Sequence, residues 1–316
     1  MGNELLHVWM LTFNHERYIA QAIESYLMQK TTFRTHLFIG EDCSTDRTAE
    51  IVREYAEKYP DKITAMINQK NIGIVRNNVN VISHCTAPYV ALLEGDDYWT
   101  DPYKLQKQVD YMESNPEYGV VHTDVDLFNE SNSSLVKNFN KTNNISFPSG
   151  SIFKDLLTDH KLFIKTATIV ARTDIYKASF HPDLILERNW LQGDLTWCLE
   201  MAYRTRIKYL DESTATYRLL AESASRTKDY IKRFRLHESV SDIRYYYWKL
   251  YSGDQKIKRI LDSHVSKTYL HDAYLLKDWD LVRKAKEQFR NNNIALSIRD
   301  RIKIFYVFLV KNKIIK

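Results

Sequence analysis

From Leu5 to Asp124, short apolar runs alternate with stretches of helical periodicity, the pattern of a mostly parallel sheet with helices packed on its faces. The strand-like runs are Leu6 to Phe13, Thr35 to Ile39, Ile63 to Ile67, Tyr89 to Leu93 and Gly119 to His122. Between them, Ile19, Ala22, Ile23, Tyr26 and Leu27 repeat at the spacing of one buried helix face, and Ile51, Val52, Tyr55 and Ala56 do the same. Asn14 and Ser44 stand where side chains cap those two helices. In open α/β sheets ligands gather at the carboxyl ends of strands. Asn14, Asp42 and Asp96 each follow a strand-like run, so three strand ends are expected to meet at one crevice. Phe128 to Pro148, rich in Asn and Ser, reads as a loop or an irregular excursion. Regular alternation fades after it, and beyond about Thr227 the pattern turns helical, with no solenoid repeat.

A chain of 316 residues can bury a full core, and 44% hydrophobic with 27% charged residues is ordinary for a globular protein. The expected division is a domain over residues 1–226, in halves of about 1–125 and 126–226, followed by a helical, basic region over 227–316. Twenty-one tyrosines suit sugar surfaces and protein cores alike. A net charge of +5 fits phosphates, nucleic acid or a lipid surface without choosing among them. Cys43, Cys85 and Cys198 lie far apart with no paired spacing, which points to a reducing compartment. The start, through Gly2 and Glu4 to Leu6, lacks the basic residues of a leader and the Ser or Thr of an acylation signal. The longest apolar run, Ile304 to Val310, is far short of the about 20 residues that span a bilayer. Arg299, Arg301 and Lys303 precede it, and Lys311, Lys313 and Lys316 follow. That segment reads either as one suited to an anionic membrane surface or as a packed helix with solvated flanks.

Four segments carry candidate chemistry. In Leu93-Glu94-Gly95-Asp96-Asp97 an apolar strand runs into three carboxylates, which repel one another unless a cation joins them. A hard divalent ion answers that need, and a solvated acidic turn is the alternative. In Glu41-Asp42-Cys43-Ser44-Thr45-Asp46, Ser44 and Asp46 are explained by turn and helix start, while Asp42 is left to accept the imide N–H of uracil or thymine. Arg76, after Asn71-Ile72-Gly73, offers a planar donor to a base or diphosphate, or is an exposed helical arginine. Asp194, in Gln192-Gly193-Asp194, is placed for an N-cap and equally for a general base.

Thr12-Phe13-Asn14, Glu41 to Asp46, Asn71-Ile72-Gly73 with Arg76-Asn77, and Glu94 to Trp99, in this order and spacing, resemble family two of the inverting glycosyltransferases. The likeness covers about the first 125 residues and reaches loosely to Asp194 and Tyr217-Arg218. It implies a GT-A fold, an α/β Rossmann-like sheet here followed by a helical extension. It further implies a nucleotide-sugar donor, Mn²⁺ or Mg²⁺, and a glycan or lipid-linked glycan acceptor in bacterial surface-polysaccharide assembly. The setting it implies is cytoplasmic or peripheral on the inner membrane face, with no nucleic-acid partner. By position, Thr12, Asn14, Asp42, Asn71, Arg76, Asn77, Glu94 and Asp97 would serve the nucleotide sugar, Asp96 the metal and Asp194 the catalytic base. Two positions depart from the family pattern: Glu94 replaces a usual aspartate, and Leu220 stands where many relatives place a metal- or diphosphate-binding histidine. A sugar-nucleotide nucleotidyltransferase would show a glycine-rich phosphate loop, and no Gly-x-Gly occurs. A two-acid hydrolase needs separated carboxylates, which the bunched Glu94–Asp97 group is not. A non-catalytic sugar-binding protein on the same fold is the remaining alternative.

Overall fold

A computed structural model describes residues 4–220 and 229–315. The expected boundary at 226/227, the first three residues and Lys316 lie outside them. The described residues form two compact units, one within Met1–Arg188 and Gly193–Leu220, the other within Asn189–Gln192 and Ala221–Lys316.

The first unit opens as β1 (Glu4–Thr12), α1 (Ile19–Leu27), β2 (Arg34–Glu41), α2 (Thr48–Lys58), β3 (Ile63–Ile67), α3 (Ile74–His84) and β4 (Tyr89–Glu94). It continues through β5 (Tyr98–Trp99), α4 (Lys104–Ser114), β6 (Tyr118–Asn129), β7 (Ser134–Val136), α5 (Phe139–Thr142) and α6 (Phe153–Thr158). After a 3₁₀ turn at Thr166–Thr168 come β8 (Val170–Arg172), α7 (Thr173–Ser179), α8 (Pro182–Glu187), α9 (Gly193–Arg204) and β9 (Arg206–Leu219). The second unit holds α10 (Tyr230–Tyr251), α11 (Gln255–Leu276), α12 (Trp279–Asn291) and α13 (Ile298–Lys311).

One sheet runs in the order β3-β2-β1-β4-β8-β6-β9-β5, with β7 paired to β6. Strands β1 to β4 are mutually parallel, with β1 between β2 and β4, so the chain switches direction across β1 and opens a crevice at its carboxyl end. The inner strand β4 is buried from Tyr89 to Leu93, which is why it reads as an unbroken apolar run rather than an alternating one. Ile19, Ala22, Ile23 and Tyr26 of α1 are buried in the core together with Val8 and Met10, as the spacing of α1 predicts. Each fully buried Ile or Leu there contributes about 1.5–3 kcal/mol.

Two local expectations fail, and a third is narrowed. Asn14 and Ser44 do not cap helices: α1 follows Tyr18 and α2 follows Arg47, neither with a side-chain cap. Instead the Asn14 carboxamide oxygen accepts from Thr45 N at 2.9 Å, and the Asn14 N–H donates to Ser44 Oγ at 2.9 Å. These polar residues stitch the loops after β1 and β2 together, a partnership that sequence neighbours cannot reveal. Residues 128–148 are not all loop, because β6 runs on to Asn129 and turns back through β7. Asp194 is not an N-cap: α9 begins at Gly193, so Asp194 lies within the first turn, where it takes the N–H of Leu195 at 2.9 Å.

Lys104 is fully buried, its amine donating to Gln108 Oε1 at 2.6 Å and lying 4.8 Å from the Trp99 ring centre. Burial pulls this amine down to about 7, against an upward pull from Asp101. A depressed amine leaves the unfolded chain holding more protons, so stability should rise with pH from about 7 toward the ordinary lysine value and be lost below. Lys104→Met should flatten that rise in chemical denaturation between about pH 7 and 9; an unchanged slope would mean the ammonium stays charged in the core.

Candidate active site

Backbone hydrogen bonds zip the three strand ends together. Gly95 N donates to Leu11 O at 2.9 Å and Asp42 N to Thr12 O at 3.1 Å, so the residues after β1, β2 and β4 share one edge. Gly95 is required for this approach, because a Cβ there would meet Thr12 Oγ1 at 2.6 Å.

Asp42, 4% exposed, accepts from Asn68 Nδ2 at 3.0 Å, Ile72 N at 2.9 Å and Gly73 N at 2.9 Å. It therefore shapes the 68–73 loop and keeps spare lone-pair capacity for a ligand. Asn71 folds its carboxamide oxygen onto Gly73 N at 3.1 Å and stays exposed. Gly73, at φ 81°, supplies the left-handed step that launches α3. Arg76 is exposed on the first turn of that helix.

Asn77 departs from its expected role. It is 1% exposed, donates to Gly40 O at 2.9 Å and accepts from Asn68 Nδ2 at 3.0 Å, so both ends of its amide are used inside the protein. Its part is to dock α3 on β2. Thr12 is likewise buried, with Oγ1 3.2 Å from His15 Nδ1.

The acidic end of β4 is the electrostatic centre. Glu94 is partly buried, its Oε2 enclosed without a hydrogen-bond partner, and burial followed by the Asp96 charge pushes its carboxyl up to about 8. The Thr166 hydroxyl and nearby backbone pull the other way, and Asp194 adds a further upward push. Asp97, 1% exposed, accepts from Arg218 N at 2.8 Å, but its Oδ2 is also unpaired. Burial and then the charges of Asp96 and Glu94 push it well above the usual carboxylate range. Arg218, 5% exposed, answers part of this charge: its guanidinium donates to the Asp96 carbonyl, to Gln21 Oε1 and, at 3.0 Å, to Glu130 Oε1.

Asp194 sits partly buried within electrostatic reach of Glu94. Burial raises its carboxyl, while the Leu195 N–H and the Lys165 charge lower it. The Lys165 amine lies 4.4 Å from the Tyr217 ring centre and 4.5 Å from that of Phe163. Burial, then Asp97, Glu94, Asp96 and Asp194, raise the Tyr217 phenol above its ordinary value, which puts that ring among all four acids.

The structure thus brings Glu94, Asp96, Asp97 and Asp194 into one electrostatic cluster, with Asp42 at the neighbouring strand end. Three participants were missed. Glu41, fully buried, takes Ser44 N at 2.7 Å and Cys43 N at 3.2 Å and so holds the Asp42 loop. Lys165 and Thr166 lie in the irregular half, where no periodicity marks them.

Among the described residues, no three His, Cys, Asp or Glu side chains are grouped to hold a metal by themselves. The two enclosed, unpartnered carboxylate oxygens beside Asp96 nevertheless fit a hard cation held by one or two carboxylates and completed by phosphate oxygens.

Residues 8–181 match the model of glycosyl transferase family 2. An uncharacterized protein of Mycobacterium tuberculosis is 38% identical over 165 residues, 51% of this chain and 45% of that protein. The putative glycosyltransferase EpsE of Bacillus subtilis is 37% identical over 123 residues, 39% of this chain and 44% of that protein. The chain therefore spans about half the length of these curated relatives. Among solved structures, S. aureus TarS 1-349 in complex with UDP-GlcNAc superposes with a TM-score of 0.62 at 15% identity, covering 98% of this chain and 91% of that one. The mannosyltransferase PcManGT of Pyrobaculum calidifontis, in complex with GDP-Man and Mn²⁺, gives 0.58 at 14% identity, covering 98% and 79%. The fold is GT-A. The chain belongs to glycosyl transferase family 2, the matched stretch ending before Asp194 and Arg218.

Proposed function

We propose that this protein is an inverting glycosyltransferase that moves a sugar from a UDP- or dTDP-sugar to an acceptor hydroxyl, the acceptor being a lipid-linked glycan in surface-polysaccharide synthesis. The observation that carries the reading is the convergence of the Asp42 loop and the acidic end of β4 on one sheet edge, with Asp194 in electrostatic reach of Glu94 and carboxylate oxygens enclosed and unpaired. Support for the pathway class comes from relatives such as the putative teichuronic acid biosynthesis glycosyltransferase TuaG, 32% identical over 108 residues. A lipid-linked acceptor places the work at the cytoplasmic face of a membrane, where the basic C-terminal region suits anionic lipid.

In this scheme Asp42 accepts the imide N–H of the pyrimidine, Arg76 flanks the base, and Glu94 faces the ribose. Thr12, Asn14 and Asn71 line the same edge, and Asp97 supports Asp96. Asp194 takes the acceptor proton as the acceptor oxygen forms a bond to the anomeric carbon. The bond from that carbon to the diphosphate oxygen breaks on the opposite face, which inverts the centre. A divalent cation, Mn²⁺ or Mg²⁺, held by Asp96 and the donor diphosphate would neutralise charge on the leaving group.

Calorimetric titration of UDP, dTDP, GDP and CMP into the protein, with and without Mn²⁺, tests this. Tight, Mn²⁺-dependent binding of UDP or dTDP is expected. Preference for GDP would refute the pyrimidine assignment to Asp42, and binding of no nucleotide would leave a non-catalytic role on the same fold.

A further inference from the structure

In the second unit α13 is anchored by one face and bare on another. Val307 is fully buried in the cluster of Leu270, Ala273, Leu281, Val282, Ala285 and Phe289, with Ile304 and Tyr306 packed against it. Ser297 and Asp300 form a reciprocal capping box that fixes where the helix starts. On the other side Ile298 is 79% exposed, Ile302 60% and Phe305 60%. At about 100° per residue, these three and Leu309 fall within an arc of roughly 60°, a continuous apolar stripe rather than scattered exposed side chains.

The charge around the stripe is one-sided. From Ile294 to Ile315 the basic residues are Arg299, Arg301, Lys303, Lys311 and Lys313, and the only acid is Asp300. That acid is 6% exposed, and its carboxylate accepts from Ser297 N at 2.9 Å and Ser297 Oγ at 2.7 Å. Every other charge on the segment is therefore positive, and Arg299, Arg301, Lys311 and Lys313 are exposed.

We infer that the Ile298–Ile302–Phe305 stripe of α13, with its basic flanks, is a docking surface for an anionic lipid bilayer. Apolar side chains between cations match the headgroup boundary of such a surface. A second copy of the chain fits less well, since like faces would oppose five cations with five. The helix lies on the surface rather than through it: its 14 residues extend about 21 Å, against a hydrocarbon core of about 30 Å. Among the described residues no helix is long and apolar enough to cross a membrane. The inference deepens the membrane setting of the proposed function and rests on that reading only for its purpose.

The test is co-sedimentation of the full chain with vesicles of phosphatidylcholine alone or mixed with phosphatidylglycerol. One variant carries Ile302→Ser with Phe305→Ser, a second Arg301→Gln with Lys313→Gln, and nucleotide titration of each runs in parallel. The expected result is binding to the mixed vesicles that weakens with salt. It should fall by about tenfold or more in the serine variant and by roughly fivefold per charge removed in the glutamine variant, with nucleotide affinity unchanged. No binding by the unsubstituted chain, or binding by both variants as strong as that of the unsubstituted chain, overturns the inference. So does a dimer in light scattering that the serine variant abolishes, which would give the stripe to a second copy. Vesicle binding without nucleotide binding would sink the glycosyltransferase reading and leave the docking surface standing.

Discussion

Asp194→Asn should lower turnover by about 10²–10⁴-fold while leaving nucleotide affinity unchanged, the loss expected when a general base is removed. The substitution keeps size and shape, so the bond from Leu195 N to the side-chain oxygen survives and α9 should begin where it does now. What disappears is the group that, in the proposed scheme, takes the acceptor proton. Initial rates of nucleoside diphosphate release with acceptor present, set beside calorimetric nucleotide binding, separate the two effects. Burial holds the Asp194 carboxyl above the usual range, partly offset by the Leu195 N–H and Lys165. The acidic limb of the pH–rate profile should accordingly lie above an ordinary carboxylate and vanish in the asparagine variant. Equal losses in rate and affinity would make Asp194 a binding group instead.

Asp96→Ala should remove the Mn²⁺-dependent part of nucleotide binding and lower turnover by about 10²-fold or more, because cation stabilisation of a leaving diphosphate contributes several kcal/mol. The same change should not weaken the metal-free protein. Asp96 pushes both Glu94 and Asp97 upward, so its removal relieves repulsion between buried acids. Metal-free thermal unfolding should therefore stay level or move up, while the stabilisation that Mn²⁺ gives with nucleotide is lost. Unaltered Mn²⁺ dependence in the variant would place the cation elsewhere.

Strands β1 to β4 and their helices were legible because buried parallel strands and one-sided helices write their environment into local periodicity. Ile63–Ile67 was found to the residue, and β4 was missed only by Glu94, where apolar character ends but the ladder continues. The second half of the first unit was not legible in the same way. In β9 the run of Tyr, Asp, Glu, Ser and Thr is satisfied by parallel pairing with β6 across two shifts of register near Asp124, which no local pattern encodes. Arg218 belongs to this strand, and its partners Gln21 and Glu130 stand 197 and 88 residues away along the chain.

By itself the sequence determined the α/β class and the course of the parallel strands, since burial and strand polarity depend on neighbours a few residues apart. Only the tertiary structure decided which polar groups are spent internally and which remain for a ligand. Asn77, Asn14 and Ser44 carry the same donors and acceptors in either case, yet their partners come from other loops and strands. The unpaired oxygens of Glu94 and Asp97, the Arg218 network beside them and the bare stripe of α13 all depend on contacts distant in sequence, because hydrogen-bond satisfaction and burial are properties of assembled surfaces.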